Sequence, residues 1–454
     1  MTDGNPAAPV RRDPRFAARF DAMSAFVSSS AGPGEILFAS LRGERADYLR
    51  LNGARVRQAG SVERAVVSLR VVDAQRQARS VRTLGEDAAI GAVLAEAHAE
   101  LRAVLARLPA DPYACWQPMP SFSERVRGGP AADPAAIIDT IAAAADGDDL
   151  VGLYAGGPVV RGLASSLGHR HYHETVSSSF DFSLHLEGGR ALKDTWAAEQ
   201  WDAQSLHAAI AAARERADVL RRPSRRLAPG DYRVLLSPQA VADLVALLGW
   251  GGFSERAHRS AQSPLSRAQR GLEAFDAGLS VAEDADALGV PRFQDDGFER
   301  PARVPLIDAG RPAQRLVSPR SAREFDATCN GADDDERPLA ACVAPGRLPA
   351  ADALRALDTG IAISNVWYLN YSDRDACRAT GMTRFATLWV ENGHPVAPIE
   401  PMRFDDSLYR TLGSQLLGLT DVARRFPETA TWDGREPGGA CAPSALVGAL
   451  RFTL

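Results

Sequence analysis

The sequence predicts an α+β protein in two parts: an N-terminal α/β domain of sheet and helices, then a C-terminal domain of mostly antiparallel, barrel-like β-structure. Three observations carry this prediction. At 454 residues the chain exceeds one ordinary core. Up to about residue 220, apolar spacing alternates between the strand period of about 2 and the helix period of about 3.6. The stretch RRPSRRLAPG then has the composition of a linker, and beyond it short strands and turns dominate. These features set a disordered tail over residues 1–13, a first domain over 14–228 and a second over 229–454.

Taken in order, residues 16–27 predict a short helix. EILFASL, ADYLRL and AVVSLRVV then predict strands, with a turn at Asn52-Gly53. In residues 86–108, Ile90, Val93, Leu94, Ala97, Leu101, Val104 and Leu105 fall on one helical face, and Pro109 ends the helix. His98 lies beside that face with no second donor one turn on, which marks it as structural rather than a ligand. Residues 134–145 and 203–220 predict two more helices, the first leading into the strand DLVGLY. In DYRVLLSPQAVADLVALLGWGG a strand runs into a helix that Ser237 caps and Pro238 starts, with Val241, Leu244, Val245 and Leu248 as its buried stripe. LSVAED, RVPLID, QRLVSP, IAISNVWYLNY, TLWVEN, HPVAPIEPMRF and LVGALRFTL predict the strands that follow.

Composition narrows the function classes. The five cysteines (Cys115, Cys329, Cys342, Cys377, Cys441) are scattered, odd in number and form no C-x-x-C pair, which argues against a disulfide scaffold or a zinc ribbon. A net charge of −5 recommends neither nucleic acid nor an anionic membrane as partner. The opening MTDGNPAAPVRRDPRF lacks the apolar core of a signal peptide and no later run has the length of a bilayer span, so a soluble cytoplasmic protein is expected. No G-x-S-x-G elbow and no Walker A loop is present, and the acidic doublets Asp295-Asp296 and Asp405-Asp406 read as turns.

The stretch GHRHYHE holds His169, His171 and His173, three of the chain's eight histidines. A zinc-peptidase helix would need a second histidine about a turn after His173-Glu174, and Thr, Val and serines follow instead. Read as a strand, odd positions 169–185 form a polar face, while even positions from 176 turn apolar. The histidines then belong to a solvated or groove-lining face. A metal site on alternate strand residues stays open if a neighbouring strand adds a ligand.

The C-terminal half resembles the TldD/PmbA family, also called the modulator of DNA gyrase family. The stretches that carry the likeness are YRVLLSPQAVADLV, LSVAEDAD, FQDDGFERPARVPLIDAG, SPRSAREF and the ordered set TGMTR, VENG and MRF. The resemblance implies an N-terminal α/β domain and a C-terminal domain rich in antiparallel strands. It also implies that one branch binds zinc through a His-Glu-x-x-x-His helix after the L-S-P segment, plus a cysteine near its C-terminus. Here those helix positions fall on Ala246, Leu247 and Gly251, and Cys441 lies near the place of the cysteine. The chain is thus expected to be the TldE/PmbA-like branch, with no catalytic or metal residues and no cofactor of its own, beside a TldD-like partner that carries zinc and cleaves peptides. His171, His173, Asn365, Thr383 and Arg384 are the candidate contacts to peptide substrate or partner. Two alternatives stand beside this: a stand-alone peptide-binding scaffold that pairs with itself, and a metallopeptidase built on His169, His171 and His173.

Overall fold

The computed structural model describes residues 12–86 and 88–454. Residues 1–11 of the expected tail lie outside that range. Its last two residues belong to the folded body: Asp13 is buried, caps the first helix through the Arg15 N–H at 3.0 Å and donates its own N–H to Glu174 at 3.0 Å.

The N-terminal sheet has seven strands, β1 (Ile36–Asn52), β2 (Arg55–Asp73), β3 (Arg76–Leu84), β4 (Phe122–Arg127), β5 (Asp149–Ser165), β6 (Arg170–Leu186) and β7 (Arg190–Ala198). Their order is β3-β2-β1-β5-β6-β4, and β7 also pairs with β6. The outer edge of β6 is shared, because parallel β4 covers Arg170 to Thr175 and antiparallel β7 covers Ser178 to Leu186. One face of the sheet carries α1 (Pro14–Ser30) and α2 (Ile90–Leu105) on Leu41, Leu69 and Tyr172. The same face carries α3 (Pro134–Ala144) and α4 (Ala203–Ala217) on Phe180 and Phe182. Alternation along β6 therefore sends its odd-numbered residues to the opposite face, which turns toward the second domain.

In the C-terminal sheet, β8 (Gly230–Leu236) leads directly into α5 (Pro238–Leu248), then come β9 (Val281–Asp284), β10 (Arg303–Asp308), β11 (Arg311–Pro312) and β12 (Ala340–Val343). The last six strands are β13 (Gly360–Asp373), β14 (Arg378–Glu391), β15 (His394–Pro398), β16 (Arg403–Ser407), β17 (Leu416–Pro427) and β18 (Gly439–Phe452). The pairs β8–β13, β13–β14, β14–β16, β16–β18 and β18–β8 close a ring, the barrel form expected from the run of short strands. The ring encloses Val234, Leu236, Ile361, Val447 and Phe452 in the main apolar core with the stripe of α5, and leaves β13 without β8 beside it past Ile363. QRLVSP is not a strand beyond isolated contacts: Leu316 bonds Phe253, and Ser318 instead caps the helix Pro319–Phe325. The Ser-Pro pair starts a helix there, as it does at Ser237-Pro238. Among the described residues no helix is long and apolar enough to cross a membrane.

Candidate functional site

Between the two domains lies a cleft of about 1470 Å³. That exceeds the few hundred to about 1000 Å³ usual for a small-molecule pocket, and suits a longer ligand. Its floor is α5, from which Gln239, Ala242, Asp243 and Ala246 line the cleft, with Trp250 just beyond the helix end. The helix sits there because Ser237 both caps it and ties it to the sheet. Its hydroxyl accepts the Ala240 N–H at 3.2 Å, while its own N–H donates to the Ile363 carbonyl and so fastens the helix start to β13.

One wall is β13, and it presents an edge rather than a face. Residues 364–369 all line the cleft, although side chains of a strand alternate between faces. The pairing with β8 stops at Ile363, so past that point β13 has β14 on one side and the cleft on the other. Tyr368 on β13 and Phe385 on β14 line the cleft with φ of +51° and +58°, a left-handed conformation that bulky residues rarely hold without support from their surroundings. Trp367 packs edge-on against Tyr368 at 5.4 Å, and the Arg384 guanidinium lies over the Trp367 ring at 4.2 Å.

The remaining candidate contacts separate. Asn365 lines the cleft and lies opposite Arg384 in the β13–β14 register. Thr383 is buried and uses its hydroxyl to accept the Met402 N–H at 3.0 Å, which makes it part of the strand packing. His171 and His173 are buried as well, against this chain's own second domain. His171 bonds the Ser121 and Ser123 hydroxyls at 2.8 and 2.7 Å and stacks on Phe293 at 5.0 Å. His173 donates through Nε2 to the Gly289 carbonyl at 2.9 Å, which fixes the proton on that nitrogen. Desolvation pushes both imidazoles down to about 4 and keeps them neutral.

The histidine face is therefore neither solvated nor a groove wall, but a domain interface. The reason is tertiary: the segment holding Gly289, Phe293 and Gly297 folds over it from the second domain. Nor do the three rings converge as ligands do, since His169 and His171 lie nearly parallel with centroids 6.4 Å apart and spend nitrogens on Ser165, Ser121 and Ser123. Further along the same face, Asp181 reaches the cleft and pairs with Lys193 at 3.0 Å.

The zinc positions implied by the resemblance do not fit a metal. Ala246 faces the cleft with a methyl group, and Leu247 is buried in the barrel core. Gly251 has φ +88°, and a Cβ there would meet the Arg374 guanidinium at 2.8 Å. Cys441 lies beside Cys342 in the β12–β18 register, while Ala440 and Ala341, one residue before each, line the cleft. By alternation both thiols point away from it. Among the described residues no group of three His, Cys, Asp or Glu side chains is placed to hold a metal ion.

Sequence reasoning missed Asp243, Trp250, Trp367 and Tyr368. For Asp243 a signal existed: it is the one charged residue in PQAVADLVALL, three positions before Ala246 on the helix's polar side.

A two-domain architecture of mixed sheet and closed barrel, with a capped helix flooring a long cleft between them, defines the class. The chain belongs to the TldD/PmbA family: residues 229–454 match the model of the PmbA/TldA metallopeptidase C-terminal domain. Among solved structures, TldE from Thermococcus kodakarensis is similar with a TM-score of 0.78 at 12% identity, over 97% of this chain and 100% of that one. A Thermotoga maritima protein, provisionally described as a modulator of a DNA gyrase, gives 0.76 at 16% identity, over 96% and 100%. A Bacteroides thetaiotaomicron protein of like description gives 0.68 at 13% identity, over 96% and 98%. At these identities the likeness shows the fold. A comparison with curated proteins returns no match.

Proposed function

We propose that this chain is the non-catalytic, TldE/PmbA-like subunit of a heteromeric zinc metallopeptidase of the cytoplasm. It supplies one part of the peptide channel while a TldD-like partner carries the zinc and cleaves the peptide. The observation that carries the reading is α5: the helix that floors the cleft offers Ala246, Leu247 and Gly251 where a zinc-binding relative needs donors. Past Val366, whose N–H is taken by Asp243, the edge of β13 has no strand beside it and suits an extended polypeptide, because the backbone groups of a sheet edge bind a strand whatever its sequence.

Co-expression with a zinc-bearing paralogue tests this. The two chains are expected to co-purify, and peptide hydrolysis to require both. If this chain alone hydrolyses peptides with stoichiometric zinc the reading is wrong, and a homodimer indifferent to such a paralogue would replace it with a stand-alone scaffold.

A further inference from the structure

Asp243 is the unusual acid of the cleft. Asp194 is paired with Arg216 and Arg424, Asp296 with Arg70, and Asp181 with Lys193. Asp334 and Asp335 are exposed and solvated. Asp243 is partly buried, and its hydrogen bonds come from neutral donors, the Gln239 amide at 2.9 Å and the Val366 backbone N–H. No cation lies within ion-pair distance of it among the described residues, and Lys193, which acts on it through space, is itself held by Asp181. Desolvation accordingly raises this carboxyl to about 6. A carboxylate kept partly out of water without a counter-ion gains most from a cation that arrives through the open side.

That open side is shaped to admit one. Asp243 and Ala246 lie one turn apart on the same side of α5, Trp250 follows just past the helix end, and all three line the cleft. The small Ala246 leaves the strip between carboxylate and indole clear. Trp250 is 41% exposed and, among the described residues, no guanidinium lies over its ring, whereas the Trp367 ring is already covered by Arg384.

We propose that Asp243 anchors a subsite on the cleft floor that takes a cationic group of a bound polypeptide, an ammonium or a guanidinium, with Trp250 flanking it. The subsite rests on the peptide-binding reading above and narrows it: the channel takes any backbone, and this position selects a lysine, an arginine or a free amino terminus.

The test is anisotropy binding of labelled short peptides to the full-length chain. The first peptide is N-acetylated with one lysine scanned along it, the second carries acetyl-lysine instead, and the third has acetyl-lysine and a free amino terminus. The lysine peptide is expected to bind about tenfold tighter than its acetylated twin if a side chain fills the subsite, and the third peptide does so if the terminus fills it. Asp243→Asn should erase that gain, so that the cationic and neutral peptides bind alike, and Asp243→Glu should restore part of it. Equal binding of all three peptides, or a preference that survives Asp243→Asn, overturns the subsite while the peptide channel stands. Failure to bind any of them overturns both.

Discussion

Lowering the pH should loosen the domain interface through His171 and His173. Both are buried, at 0% and 2% exposure, and both are pushed down to about 4 from the ordinary 6.5, chiefly by desolvation. His173 also faces the charges of Arg125, Arg127 and Arg161, and His171 faces His169. Because the folded-state values lie below the unfolded one, the unfolded chain binds these protons first as the pH falls. The stability they hold is complete above 6.5 and is lost progressively toward about 4. Each shift corresponds to about 3 kcal/mol by the time pH 4 is reached. Two such losses are comparable with the net stability of roughly 5–15 kcal/mol typical of a domain. The assay is urea denaturation at stepped pH for the wild type and for His171→Gln and His173→Gln. Each variant should start less stable at pH 7, yet lose stability less steeply below 6.5, by about 1.4 kcal/mol per pH unit for the missing proton. Groups common to all three proteins cancel in that comparison. Identical slopes would refute the claim that these imidazoles are neutral and enclosed.

Two further outcomes follow from the geometry. Arg435→Met should destabilise the chain by about 3 kcal/mol, since the buried guanidinium donates to the Gly157 and Ser177 carbonyls at 2.9 and 2.8 Å and its loss strands both acceptors. Thermal unfolding reads this, and a change within scatter would mean that water satisfies those carbonyls. The triple variant Ala246→His, Leu247→Glu, Gly251→His should bind no stoichiometric zinc and lose roughly 3 kcal/mol or more, because Leu247 is core and Gly251 is left-handed. Metal analysis that found one bound zinc per chain would contradict it.

What could be read from the sequence was local. Helix α5 was legible because its cap, its first proline and its aliphatic stripe all lie within a dozen residues. The polar face of β6 was legible from alternation alone. The strand pairs that close the barrel were not, although a barrel was expected, because β8 and β18 pair across some two hundred residues and leave no short-range pattern. The partner of the histidine face was hidden for the same reason, since Gly289 meets His173 across 116 positions. Asn365 and Thr383 looked alike in the sequence, yet only Asn365 reaches the cleft, because the register shift after Ile363 falls beside it and Thr383 stays buried within the β14 pairing.

These long-range contacts also determine how the cleft stays open. The histidine face grips the second domain beside Gly289 and Phe293, while Arg435 and Arg424 grip the sheet elsewhere, on Gly157, Ser177 and Asp194. Held at separate places along β5, β6 and β7, the two domains cannot close over α5 without breaking buried polar contacts on one side or the other. A cleft with clamped walls cannot grip a ligand by domain closure. Selection must then come from fixed features of its lining, the strained aromatic edge of β13 and the unpaired carboxylate of Asp243.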